Sequence, residues 1–550
     1  MSSAAFPDRT IARPGLLDRD RIVAHAGFHR WLVPPAALAI HLCIGMAYGF
    51  SVFWLPLSRA IGVSKPVTCP SGTLLFDLLF TTSCDWSVSS LNWIFTLFIF
   101  FLGVSAALWG GWVDRVGPRK AGVAAALCWC GGLLIGALGI WLHQLWIMWL
   151  GTGVLGGIGL GLGYISPVST LIRWFPDRRG MATGMAIMGF GGGAMIGAPL
   201  AQLLMNHFRT QTEVGAWQTF AILGVIYFLF MLGGAFGYRV PPAGWRPSGW
   251  EPPAPNVRAM ITHGQVRLGD VIKTPQFWFV WVVLCMNVSA GIGVLSMASP
   301  MLQEIFGGAL ISLPDVSFTA LTDSQRAAVA IVAAGFTGLL SLFNIGGRFF
   351  WASLSDHVGR KPTYFVFFLL GIALYAGAPW AAHSGERVLF VLFFCVILSM
   401  YGGGFATVPA YLADLFGTQY VGAIHGRLLT AWSTAGIIGP VLVSYMRDGA
   451  IAAGVDRSHV YDVTLYLLAG LLVVGLVANL LVRPVAHRWF MPDSEVAALQ
   501  AAGRAVPVPA AARGIGGGVG LSTVLAWTAI GLPLAWGVWI TLAKVAVLFG

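Results

Sequence analysis

The chain has 550 residues, of which 57% are hydrophobic and only 10% charged, and its mean hydropathy is +0.79. That composition excludes a soluble globule and describes an all-α polytopic membrane protein, surrounded by lipid. The formal net charge of +11 does not imply a nucleic-acid partner, because its placement follows membrane topology.

Apolar runs long enough to cross a hydrocarbon core of about 30 Å lie at 32–57, 89–112, 121–142, 145–172, 181–206, 216–238, 277–302, 327–354, 362–382, 388–413, 427–446, 460–482 and 520–548. With residues 1–30 inside, the outside loops hold Arg59, Lys65, Arg209, Arg326, Arg387, Arg447 and Arg457. Arg348 and Lys544 lie within apolar runs, and the other 23 of the 32 Lys and Arg fall on the inner side. Retention of cations on the cytoplasmic side of short loops accounts for that bias. The expected setting is a bacterial inner membrane, with the N-terminus cytoplasmic and Gly550 periplasmic.

Along the chain, residues 1–30 are polar, carry no cleavable signal pattern and read as a cytoplasmic tail. The first run contains His41, whose ordinary titration range suits proton coupling; a packing histidine satisfied by its neighbours is the simpler alternative. The outside loop 60–88 holds Cys69 and Cys84, where an oxidising periplasm permits a disulfide; two free thiols are the other reading. Cys43, Cys128, Cys130, Cys285 and Cys395 fall in apolar runs and read as small packing residues.

After the second run comes Gly110-Gly111-Trp112-Val113-Asp114-Arg115-Val116-Gly117-Pro118-Arg119-Lys120. The acid Asp114, the cations Arg115 and Arg119, and the turn residue Gly117 make a charge-laced hinge between helices. Glycines 153, 157 and 161 and the run Gly189-Phe190-Gly191-Gly192-Gly193 let backbones approach closely. They lie in membrane runs, without a preceding strand or a Walker lysine, so they are not a nucleotide loop. The polar, Pro- and Trp-rich stretch 239–273 reads as a linker, with a polyproline ligand as the alternative.

The run 327–354 contains Arg348, about 12 Å of helix before Asp356. A cation at the centre of a membrane helix costs about 2.5–3.5 kcal/mol, so it calls for an anionic partner. The run offers no acid of its own. Either an anionic cargo is the partner, or the side chain reaches towards the cytoplasm or bonds helix carbonyls. Asn344, four residues earlier, shares its face. Then Trp351-Ala352-Ser353-Leu354-Ser355-Asp356-His357-Val358-Gly359-Arg360-Lys361 repeats the earlier hinge six runs later, with Asp356, Gly359 and Arg360 in the same order. Ordinary positive-inside loops explain the cations but not that shared order. Asp414, ending the tenth run, is expected at the surface. His41 is the only histidine well inside an apolar run, and no buried carboxylate is evident. The last run, 520–548, carries Lys544 and follows an Ala/Pro/Gly-rich linker; it crosses the membrane or lies in its plane.

The doubled hinge resembles the signature loop of the major facilitator superfamily. The resemblance implies a major facilitator fold, two six-helix bundles plus a thirteenth C-terminal transmembrane helix, working by alternating access around a central cavity. The implied organisation is a tail 1–30, a first bundle 31–240, a linker 241–275, a second bundle 276–485, a linker 486–519 and the added helix 520–550. Within the superfamily, Arg173-Trp174-Phe175-Pro176-Asp177-Arg178-Arg179-Gly180-Met181-Ala182-Thr183-Gly184, Thr274-Pro275-Gln276-Phe277-Trp278 and Ser341-Leu342-Phe343-Asn344-Ile345-Gly346-Gly347-Arg348 are similar to the oxalate:formate antiporter family, related in design to the monocarboxylate transporters. The likeness covers about residues 31–485.

That resemblance makes Arg348 the carboxylate-binding arginine of the eighth helix, a role suited to a planar fork of donors, with Asn344 beside it. It implies a cavity wall of Tyr48, Phe50, Tyr164, Phe190, Tyr401 and Phe405. One position departs from the family. After Thr430-Ala431, where the oxalate exchanger has a second cavity lysine, this chain has Trp432. A dianion facing one arginine keeps an uncompensated charge in a medium of low dielectric, whereas a monoanion is neutralised. A monocarboxylate such as formate or lactate, carried by anion exchange, is therefore expected; proton symport and oxalate:formate exchange are the alternatives. No paired carboxylates, metal-spaced histidines or catalytic triad are visible, so neither an enzyme nor a metal or cofactor is expected. An anion channel shares the arginine without needing the repeated hinges, and a transport-like sensor is the remaining class. Oligomeric state is not legible.

Overall fold

The computed structural model describes residues 15–25, 27–70, 72–242, 245–247, 262, 264–504 and 520–549. Thirteen of its helices are long and apolar enough to span a membrane: α1 (Arg30–Leu57), α2 (Val88–Val113), α3 (Pro118–Trp141), α4 (Leu145–Leu171), α5 (Ile187–Phe208), α6 (Ala216–Gly237), α7 (Pro275–Ile311), α8 (Asp323–Val358), α9 (Arg360–His383), α10 (Arg387–Phe416), α11 (Val421–Ala452), α12 (Asp462–Leu481) and α13 (Leu521–Leu548). Local chemistry fixes several starts. Thr274 caps α7 by accepting from the Phe277 amide, with Pro275 at the first helical position. Thr322 and Gln325 form a capping box at α8.

The two hinges are built alike. Gly117 and Gly359 sit at φ +88° and +99°, where any side chain is strained. Two residues after each, a cation caps the last helix of its own bundle. Arg119 donates to the Phe236 carbonyl at the end of α6 (3.1 Å) and to Leu16 in the tail (3.0 Å). Lys361 donates to Leu480 and Val482 at the end of α12 (2.9 and 2.8 Å). Arg360 pairs with Asp356 at 2.5 Å and with Asp414 at 3.4 Å. Asp414 is therefore an ion-pair partner, only 21% exposed, rather than a free surface acid. Arg115 is exposed, and the side chain of Asp114 lies outside the described residues.

At the end away from these hinges, hydrogen bonds join the two bundles. Trp54 of α1 donates to the Ser296 carbonyl of α7 (2.6 Å), Asn92 of α2 to the Pro440 carbonyl of α11 (2.9 Å), and the Ser89 amide to Asp448 (3.0 Å). Towards the hinge face a cavity of about 410 Å³ opens between α2 and α4 on one side and the start of α11 on the other.

Two features depart from the expected layout, and a third fills in what it left open. α7 and α11 run beyond the predicted runs, so Glu304 and Arg447 are buried helix residues, at 2% and 3% exposure, and not loop groups. Arg447 and Arg457 both pair with Glu304, and Tyr461 donates to it at 2.7 Å. A buried carboxylate is thus present; the apolar windows ended short of it because its charge is cancelled only in three dimensions. The stretch 486–519 also contains a short helix, Asp493–Arg504, while 505–519 lies outside the described residues. Finally, α13 lies across the seam between the bundles: Trp527 donates to the Trp31 carbonyl (3.0 Å) and Thr541 to the Met195 carbonyl (3.3 Å), while a Cβ on Gly338 of α8 would collide with Thr541.

In the loop 60–88, Cys69 and Cys84 are joined as a disulfide, Cα atoms 5.1 Å apart. Asp85 beside them accepts from the amides of Ile61, Gly62 and Val67 (2.7–3.0 Å), fixing the loop's path.

A candidate anion site between the bundles

Arg348 lies ten residues before the end of α8 at Val358 and is 1% exposed. Its Nε donates to Asn344 Oδ1 at 2.9 Å, the contact that i,i+4 spacing on one helix face permits. Two glycines make room for this pair. A Cβ on Gly191 of α5 would fall 2.9 Å from Asn344 Oδ1 and 3.0 Å from Arg348 Nε, and one on Gly402 of α10 would fall 2.3 Å from the Asn344 carbonyl oxygen. The glycine run on α5, read from the sequence as letting backbones approach closely, thus also borders the site, and Gly402 had no signal of its own.

Around the arginine, six aromatic side chains close into a ring, three from each bundle. Tyr48 of α1 contacts Tyr401 of α10 (ring centroids 5.9 Å), Tyr401 contacts Phe405 (5.3 Å), and Phe405 contacts Trp432 of α11 (4.5 Å). Trp432 contacts Tyr164 of α4 (5.3 Å), Tyr164 contacts Phe190 of α5 (5.5 Å), and Phe190 returns to Tyr48 (4.9 Å). The Tyr48 and Tyr401 hydroxyls share a hydrogen bond of 2.8 Å across the bundles. The guanidinium carbon of Arg348 stands 5.8 Å from the Phe405 ring centroid, within cation–π range. Tyr164 also lines the cavity that opens on the hinge face, so that cavity reaches the ring.

Phe50, expected in the wall, is elsewhere. It packs on Phe53, Phe98, Trp129 and Phe220 inside the first bundle. Two residues from Tyr48, it points roughly 200–240° around the helix, so the pair cannot share one face. His41 is fully buried behind the ring: its Nε2 bonds the Tyr164 carbonyl (3.2 Å) and its ring stacks on Tyr164 at 5.6 Å.

Four donors of this site are buried without a protein hydrogen-bond partner: Arg348 Nη1, Asn344 Nδ2, the Tyr164 hydroxyl and Trp432 Nε1. An unmet buried polar group costs about 1–3 kcal/mol. Among the described residues, no carboxylate pairs with Arg348. The arrangement is chemically suited to receive an acceptor-only, negatively charged group from the hinge-face cavity.

Residues 37–440 match the Major Facilitator Superfamily. The chain belongs to this superfamily. Over 413 residues it is 25% identical to the oxalate:formate antiporter of Oxalobacter formigenes, covering 75% of this chain and 83% of that one. It is 26% identical to apicoplast pyruvate carrier 1 of Toxoplasma gondii over 54% of this chain and 58% of the carrier, and 31% identical to human monocarboxylate transporter 11 over 32% of each. Among solved structures, a bacterial homologue of the human lysosomal transporter Spinster, inward-facing and occupied, superposes with a TM-score of 0.54 at 15% identity, covering 84% of this chain and 97% of the other. That likeness concerns the fold alone. This facilitator is thus a multi-pass membrane transporter with a two-bundle core and one added helix.

Proposed function

We propose that this facilitator is a secondary carrier of small monocarboxylate anions, formate or lactate in kind, which it exchanges by alternating access. The observation that carries this reading is the buried Arg348, with no carboxylate partner among the described residues, inside an aromatic ring contributed equally by both bundles. A carboxylate there meets the guanidinium fork and the neighbouring Asn344, Tyr164 and Trp432 donors, while the rings exclude water.

Charge favours a monoanion, because Arg348 is the one arginine or lysine at the ring among the described residues and Trp432 stands where the related oxalate exchangers carry a lysine. Charge also favours exchange. An empty carrier must close around an uncompensated guanidinium, which is costly in a dry cavity; a loaded carrier closes around a neutral pair. Proton symport needs a group that can neutralise the arginine when cargo is absent. Glu304 cannot do so, since two arginines and Tyr461 already hold it. Cation retention assigns the hinge face to the cytoplasm of a bacterial inner membrane, so the cavity described above is the inward path.

Reconstituted protein tests this reading by counterflow. Uptake of labelled formate or lactate is expected only when a carboxylate is present on the far side, and Arg348→Gln is expected to lower it by roughly 30-fold or more, in line with truncating one partner of a buried charge pair. Uptake unchanged in correctly folded Arg348→Gln protein sinks the assignment, and conductance without exchange points to a channel. Trp432→Lys, compared with the unaltered protein on oxalate and formate side by side, is expected to move preference towards oxalate.

A further inference from the structure

At the closed end of the molecule, opposite the hinges, a second group of cations converges. Arg59 follows α1, Arg209 follows α5, and Arg326 lies in the first turn of α8; all three line one cavity of about 70 Å³. That is several times the roughly 10–15 Å³ a single water needs. The only acid in the lining is Asp323, and it answers the arginines at long range: 3.8 Å to Arg209 and 3.7 Å to Arg326. Neighbouring acids are committed elsewhere. Glu304 is held by Arg447, Arg457 and Tyr461, Asp85 by three backbone amides, and Asp448 by Arg447 and the Ser89 amide.

Two of the guanidinium nitrogens are buried without a hydrogen-bond partner, Arg59 Nη1 and Arg326 Nε. Burial and the nearby Arg326, Arg209 and Arg457 hold Arg59 down to a pKa of about 10, with Asp323 opposing. Three cations facing one carboxylate leave two positive charges to be compensated, and the amides of Asn206 and Gln303 in the same lining can add donors.

We infer that this pocket is a second anion site, taking a small carboxylate at the outer face. There, Arg59 and Arg209 of the first bundle and Arg326 of the second share its oxygens. Because the ligand touches both bundles, its binding favours the closed outer seam seen here, and its field gathers anions at the outer mouth. That the anion is the cargo rests on the carboxylate reading of Arg348; the site itself stands on its own arginines.

The test uses full-length protein and follows the midpoint of thermal unfolding with sodium formate against sodium chloride at equal ionic strength. In Arg348→Gln protein, formate is expected still to raise the midpoint above the chloride value, and Arg59→Gln with Arg326→Gln added to that background is expected to abolish the rise. Arg59→Lys, which keeps the charge and removes the fork, should retain part of it and controls for folding. A formate response lost wholly in Arg348→Gln overturns the outer site while leaving the central one in place. A response that survives the outer substitutions also overturns it, and an equal rise with chloride overturns its carboxylate selectivity. On an intact Arg348 background, the outer substitutions are expected to raise KM for external formate several-fold and to weaken its salt dependence, with kcat little changed.

Discussion

Arg348 and Arg447 are buried almost equally, at 1% and 3% exposure, yet their surroundings are opposite. Arg447 meets Glu304 through two nitrogens, and Glu304 also receives Arg457 and Tyr461. Arg348 meets the neutral amide of Asn344 on its own helix and the face of Phe405, and no carboxylate among the described residues. The first is a closed electrostatic account within the second bundle, joining α7, α11 and the start of α12. The second keeps donors unmet between two bundles that must separate and rejoin. Burial alone therefore does not mark an arginine as functional; what distinguishes it is whether the protein itself supplies the counter-charge.

Two substitutions probe that contrast from either side. Arg348→Gln removes the central cation and is expected to abolish exchange while leaving the thermal midpoint nearly unchanged, since no protein carboxylate loses a partner. Glu304→Gln strands Arg447 with only Asp448 and should destabilise the fold by about 3–5 kcal/mol, read as a large drop in midpoint. If Glu304→Gln leaves stability intact but stops transport, the two arginines have been assigned the wrong way round.

The same contrast explains how much was legible in the sequence. Thirteen spans, the doubled hinge and Arg348 are local features: an apolar run, a repeated order of residues, a cation where none belongs. The Glu304 network was not, because Glu304 and Arg447 lie 143 residues apart and each sits near the end of an apolar run, where a charge reads as loop. The aromatic wall was legible in part. Tyr48, Tyr164, Phe190, Tyr401, Phe405 and Trp432 meet in one ring, but Phe50 was misplaced because a tight helical turn rotates it into the first bundle. The room made by Gly402 had no sequence signal, since a missing side chain does not announce which neighbour needs its space.

Gly191 permits a finer test of the central site. Gly191→Ala puts a methyl 2.9 Å from Asn344 Oδ1 and 3.0 Å from Arg348 Nε, so that pair must shift by a few tenths of an ångström while the helices stay packed. KM for the cargo is expected to rise with little change in thermal midpoint. An unaltered KM means that the pair does not define the binding geometry.

The smallest effect concerns the contact that joins the two halves of the ring. Tyr48→Phe removes one hydroxyl of the 2.8 Å bond between Tyr48 and Tyr401, a neutral hydrogen bond worth about 0.5–1.5 kcal/mol net. It forms only when the bundles are together around the arginine, so its loss should weaken the closed state relative to open ones and leave each bundle's own stability alone. The expected readout is a several-fold change in exchange rate at saturating cargo, with a thermal midpoint close to that of the unaltered protein; Tyr401→Phe should match it, and the double variant should cost little more than either alone because both remove the same bond. Strictly additive losses mean instead that the two hydroxyls act separately, each on its own partner, and the ring is not closed by this bond.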